Sequence, residues 1–135
     1  LLRNPDQFEA LRADPGLIQA AIHEGLRCES PVFFTFRLVK TDVTFQGITI
    51  PAGETVIVNL GGANRDPDRF PNPERFDISR PRAAHLAFER LARLQAEVVL
   101  QELLRRFPNL HLSGPEPQWN KLFGLRELKA LPVSW

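Results

Sequence analysis

The sequence predicts a small α+β domain, and three observations carry that reading. Apolar residues recur at helical spacing behind a capped start at Asp14-Pro15. From Phe33 to Asn59 apolar and polar side chains alternate, with β-branched runs broken at Gln46-Gly47 and Ala52-Gly53. A second apolar stripe at helical spacing runs from Phe88 to Phe107, behind a proline-rich stretch.

Composition sets the bounds. A chain of 135 residues is one domain at most, with a modest core. The apolar share of 43% and charged share of 24% are those of an ordinary soluble globular protein. A net charge of +1 gives no reason to expect nucleic acid or an acidic membrane surface as partner. No apolar run approaches the roughly 20 residues of a membrane span, and no signal-peptide pattern is present. Cys28 is the only cysteine, so no internal disulfide forms and a cytoplasmic location is expected. Methionine is absent even at position 1, as in a fragment of a longer product or a numbering that omits the start.

In order, Asn4-Pro5-Asp6-Gln7 starts a short helix with Phe8 and Leu11 on its apolar face. Asp14 caps a second helix, on which Leu17, Ile18, Ala21, Ile22 and Leu26 share one face as far as about Arg27. Pro31 to Thr44 reads as a strand pair, and Asp42 to Asn59 as a hairpin turning through Gln46-Gly47. Leu60 to Asp66 opens a short helix and loop. Pro67 to Pro81 is an irregular meander, rich in residues that cannot donate a main-chain N–H. Phe88 to Phe107 is the longest helix, with Leu91, Leu94, Val98, Leu103 and Leu104 apolar, and Pro108 stops it. Asn109–Leu112 and Leu128–Val133 are short strands around a Gly-Pro turn.

Few residues offer chemistry. Glu24 and Arg27 lie three apart and share a helix face, which by spacing alone is a surface pair worth about 0.3 kcal/mol. Arg37 interrupts an apolar strand face and can reach solvent along its stem. His23, His85 and His111 stand alone in sequence, and lone histidines are more often satisfied or exposed than ligands, so no metal ligand is expected. There is no paired-cysteine zinc spacing, phosphate-cradling glycine loop or Ser-His-Asp set, and no catalytic residue is named.

Five segments, taken together and in order, resemble the cytochrome P450 family in its soluble bacterial form. They are Glu24-Gly25-Leu26-Arg27 with Glu29-Ser30-Pro31-Val32 behind it, Arg37, Asn64-Arg65-Asp66-Pro67, Pro73-Glu74-Arg75-Phe76, and Leu91-Ala92-Arg93-Leu94. The resemblance covers nearly the whole chain but only the C-terminal third of such a protein. It implies an α+β arrangement of the family's K helix, small β hairpins, proline-rich meander, L helix and C-terminal strands, with residues 1–135 forming one partial domain. It implies a buried network of Glu24, Arg27 and Arg75 that scaffolds rather than catalyses, because a lone buried ion costs several kcal/mol. It implies that Arg37 clamps a haem propionate, a role suited to a fork-shaped donor.

The resemblance breaks at one point. In the family, a segment like Ala84–Phe88 leads into a loop of the form Phe-Gly-x-Gly-x-His-x-Cys-x-Gly, whose cysteine thiolate binds haem iron. Here Phe88 passes through Glu89 and Arg90 straight into Leu91, about nine residues short of that pattern. Cys28 stands after the K helix and is no substitute by position; it reads as a small buried hydrophobe. The resemblance therefore implies a truncated, degenerate heme-thiolate monooxygenase. It is expected to be inactive without the axial cysteine loop and the oxygen-activating helix, and not to bind heme. Two alternatives stand beside it: a small interaction module, or an active monooxygenase whose loop and N-terminal part this sequence leaves out. Apolar stripes left uncovered on the helix ending at Arg27 and on the one from Leu91 predict self-association, and the redox partner stays open.

Overall fold

The computed structural model describes residues 1–87 and 90–135. Helix α1 (Pro5–Ala13) starts with proline at its first position, where a missing N–H is harmless, and buries Phe8 and Leu11. The Asp14 carboxylate accepts the Gly16 N–H at 2.8 Å and opens a 3-10 turn, Pro15–Leu17, that feeds α2 (Ile18–Cys28). α2 buries Ile18, Ala21 and Ile22 on one side, and Glu24, Arg27 and Cys28 towards its end. Its apolar stripe is covered, contrary to the expectation from sequence. Ile18, Ala21 and Ile22 pack with Leu11 and Ile78, and half-buried Ala96, Leu100 and Leu104 close over them. Those last three come from α4 (Arg90–Arg106). Each fully buried aliphatic side chain of this kind contributes about 1.5–3 kcal/mol.

Among the described residues the strands form four separate pairs. β1 (Phe34–Leu38) runs antiparallel to β4 (Thr55–Asn59), from Phe34 opposite Asn59 to Leu38 opposite Thr55. The expected strand pair within Pro31–Thr44 is thus a single strand whose partner lies beyond the intervening hairpin. That hairpin is β2 (Val43–Phe45) with β3 (Ile48–Ile50). Gln46 and Gly47 turn it with φ of 50° and 80°, the two positive values a two-residue turn of matching twist requires. α3 (Leu60–Ala63) follows, its first turn capped by the Asn59 carbonyl oxygen of the side chain on Gly62 N–H at 2.8 Å.

At the C-terminus β5 (His111–Leu112) pairs with β8 (Val133–Ser134). β6 (Gln118–Trp119) pairs with β7 (Leu128–Ala130) across a register irregularity. The predicted single strand Leu128–Val133 is divided, because Pro132 cannot donate to a ladder. The β6–β7 hairpin is tied to the start of β1 by Phe33 N–H to Gly124 O at 2.8 Å and Arg126 N–H to Pro31 O at 2.9 Å.

The outward face of α4 is different. Leu91, Leu94, Val98 and Val99 are 66%, 58%, 53% and 56% exposed. The predicted helix start at Phe88 lies outside the described residues. Among the described residues no helix is long and apolar enough to cross a membrane.

Candidate functional site

The end of α2 carries a buried ionic centre. Arg27 Nε donates to Glu24 Oε2 at 2.8 Å and Nη2 donates to Oε1 at 2.9 Å, a bidentate pair with side chains only 1% and 3% exposed. This is not the exposed pair that spacing alone suggests. The remaining donors reach across the fold: Nη1 to Asn64 O at 2.9 Å and Pro73 O at 2.8 Å, and Nη2 to Arg75 O at 3.2 Å. Beneath the guanidinium lies the Phe70 ring, 5.2 Å from carbon to centroid.

The second guanidinium comes from Arg80. Its Nε donates to Glu24 Oε1 at 3.1 Å, while Nη1 takes Pro71 O at 2.6 Å and Nη2 takes Asn72 O and Arg75 O at 3.2 and 3.1 Å. The expected third member was Arg75. Its guanidinium instead stands 66% exposed, 3.9 Å from Asp77, and only its main-chain carbonyl joins the network. The reason is local: Arg75 lies in the irregular run before Asp77, and the turn Asp77–Arg80 carries the later arginine back over Glu24. Chain order alone gave no signal for Arg80.

The division of labour follows from composition. A proline-rich meander has few N–H groups to pair its own carbonyls. Arg27 and Arg80 supply them instead, taking five main-chain oxygens between Asn64 and Arg75. Glu24 pairs with both guanidiniums and shares its single negative charge between them. Burial on its own pushes its carboxyl up, but the hydrogen bonds from Arg27, Asp77 N–H and Arg80 outweigh it and hold the group below the usual carboxylate range. An ionised carboxylate locked between two permanent cations has no proton to exchange near neutral pH, so this centre organises the backbone.

Asn64, fully buried, extends the network. Its Nδ2 donates to Ser30 Oγ at 2.7 Å and its Oδ1 accepts Leu86 N–H at 2.7 Å. It thereby joins the end of α2 to the segment around Leu86.

Cys28 sits beside this centre. Its sulfur is 3.0 Å from Arg27 Nη2 and 3.8 Å from Glu24 Oε1. Burial and the Glu24 charge push its pKa up to about 11, against the pull of Arg27 and Arg65. That environment keeps a thiol, whereas haem iron takes a thiolate. Among the described residues no group of three or more His, Cys, Asp and Glu side chains could hold a metal ion. The residues present do not fit a haem-thiolate centre. Arg37 is exposed, and among the described residues Nη1 bonds to Thr35 Oγ1 and Phe36 O, both at 2.8 Å, on its own strand. His23 and His85 approach one another, while His111 lies apart and meets Asn109 O at 2.7 Å.

The family model described as Cytochrome P450 matches residues 9–87. The chain belongs to the cytochrome P450 family. It is 43% identical to the biotin biosynthesis cytochrome P450 of Bacillus subtilis, over 100% of this chain and 36% of that protein. It is 46% identical to the cytochrome P450 monooxygenase PikC of Streptomyces venezuelae, over 100% of this chain and 35% of that one. The chain thus spans about a third of the length of these curated P450s. It superposes with a TM-score of 0.94 and 42% identity on P450BioI, solved in complex with an acyl carrier protein ligated to hexadec-9Z-enoic acid, covering 100% of this chain and 37% of that one. The P450 of bound tirandamycin C, TamI, gives a TM-score of 0.92 at 39% identity over 98% of this chain and 36% of that one. The fold is therefore the partial α+β P450 arrangement expected from sequence. The alignment with the B. subtilis biotin-biosynthesis P450 runs over 144 positions against 135 residues here, so at least nine (144 − 135) face none of this chain. The family match itself stops at Ala87, where the sequence departs from the P450 pattern.

Proposed function

We propose that residues 1–135 form one P450-derived scaffold that does not perform haem-thiolate monooxygenation. The observation that carries this reading is the state of Cys28. It is the chain's only cysteine, held on α2 as a buried thiol inside the Glu24–Arg27 network rather than presented after the meander. Haem, when bound to a P450, supplies the oxidising centre, and the protein supplies the thiolate that tunes it. This chain retains the backbone-organising half of that arrangement. Arg37, the propionate clamp that the resemblance implies, keeps its guanidinium on its own strand among the described residues.

The test is a haem titration followed by reduction under carbon monoxide. The expected result is no red-shifted Soret band of a thiolate-ligated ferrous haem. Appearance of that band, and its loss in Cys28→Ser, would overturn the proposal and mark Cys28 as a recruited ligand.

The α4 face supports a second element of the reading, association through apolar surface. Four large aliphatic residues more than half exposed on one helix exceed the scattered single exposures of an ordinary monomer.

A further inference from the structure

Three groups outside the Glu24 centre converge between α2, the segment 83–87 and α4. Arg93 Nη1 lies 3.1 Å from His23 Nδ1, and Nη2 lies 3.2 Å from His85 Nε2. The two imidazole rings are 4.2 Å apart between centroids and tilted by 46°. His23 Nε2 is 2.8 Å from Ala83 O, an acceptor only, so the ring carries its proton there and offers the Nδ1 lone pair to Arg93. His85 Nδ1 meets Ala87 N–H at 3.1 Å. Ala87 N–H and the guanidinium both donate, so a neutral His85 ring serves one of them and an imidazolium serves neither. Arg93 cannot shed its charge. The cluster therefore holds only while both rings are neutral.

We propose that His23, His85 and Arg93 form an acid-released latch that pins α4 and the segment 83–87 to α2. The surrounding charges sharpen it. From α2, Glu24 and Arg27 act on the cluster, and from the segment before His85, Arg82 does so. Asp77 and Arg80 line the adjoining cavity with His23. Glu24 is already committed to two guanidiniums, and Asp77 accepts from Ser79, so neither offers a protonated imidazole a free partner.

Burial, then the charges of His23 and Arg93, holds His85 down at about 4 from its ordinary 6.5. Burial likewise lowers His23, against the upward pull of the Ala83 carbonyl. The sign follows. The closed latch binds fewer protons than the open one, so its stabilisation is complete above the ordinary histidine value of 6.5 and drains as pH falls towards about 4. Each imidazole that takes its proton only in the open state multiplies the opening constant by up to about tenfold per pH unit. Release frees Ala96, Leu100 and Leu104 of α4 from the core on α2, adding apolar surface to the face already exposed.

The experiment is hydrogen exchange of α4 amides in the 135-residue chain, corrected for intrinsic rates, from about pH 7.5 down to about pH 4.7. Glu24 is outside this window, since its contribution falls only below its ordinary value of 4.5. The expected result is an opening constant that rises at least about tenfold across the window, and stays flat in His23→Gln/His85→Gln. An equal rise in the double variant would overturn the latch. Ring titration of the unaltered chain decides the matter if that variant fails to fold, with a histidine-containing model peptide as reference. His23 and His85 staying neutral while α4 is protected supports the latch. Both rings titrating at the ordinary histidine value of 6.5, with α4 protection unchanged, overturns it.

Discussion

Arg80 Nε lies 3.1 Å from Glu24 Oε1, and Arg80 is 13% exposed, while Arg75 five residues earlier turns its guanidinium to solvent. The two arginines are therefore not equivalent. Arg80→Ala removes a charge-assisted bond to Glu24 and leaves the carbonyls of Pro71 and Asn72 without this donor. The expected loss is about 2–3 kcal/mol of unfolding free energy. Arg75→Ala removes only an exposed pair with Asp77 and is expected to stay within about 0.5 kcal/mol. Urea unfolding of both variants checks this, and equal losses would reject the assignment of Arg80.

Glu24 makes stability depend on acid in a defined direction. Its folded carboxyl titrates below the ordinary value of 4.5, so its contribution is complete above that value and falls away as pH drops through the lower folded value. Glu24→Gln is expected to cost about 3–5 kcal/mol near neutral pH, because Arg27 is left buried without its counter-charge. The gap between parent and variant should narrow below about pH 4. A gap that stays constant down to about pH 2 in denaturant titrations would mean that the carboxylate charge is not what stabilises the centre.

Gly61 is fixed by a close approach rather than by its backbone angles. A methyl group there would sit 2.5 Å from Phe33 Cδ1 and Cε1. Gly61→Ala is expected to destabilise by about 1–3 kcal/mol, with part of the loss recovered in a Phe33→Leu background. Additive effects in the double variant would show that the ring and the methyl do not meet.

Much of this was legible in the sequence, and what was not has a common cause. α1, α2 and the β2–β3 hairpin are marked by local signals: proline at the first helical turn, Asp14 as cap, and Gln46-Gly47 at positive φ. The pairing of β1 with β4 is not, because alternation identifies a half-buried strand without naming its partner. The β6 strand at Gln118–Trp119 is two residues long and carries no period. The charge centre was legible as Glu24 and Arg27 but not as Arg80, since which arginine returns to a buried carboxylate depends on the path of the meander. Asn64 stood inside a recognised segment, yet its link from Ser30 to Leu86 joins residues 34 and 22 positions away, beyond any local pattern.

The α4 face yields the last prediction. Leu91, Leu94 and Val98 follow one another at helical spacing and are each more than half exposed, so a second apolar surface laid along them removes several aliphatic side chains from water. An association that occurs in the folded state makes thermal unfolding depend on protein concentration. The chain is therefore expected to melt higher as concentration rises, and to sediment as more than a monomer at micromolar concentration and above. Leu94→Gln/Val98→Gln should abolish both effects while changing the unfolding free energy of the monomer by no more than about 0.5 kcal/mol per site, because neither side chain belongs to the core on α2. A parent chain that melts reversibly at one temperature across a hundredfold concentration range, and binds no dye that reports apolar surface, would exclude association through this face.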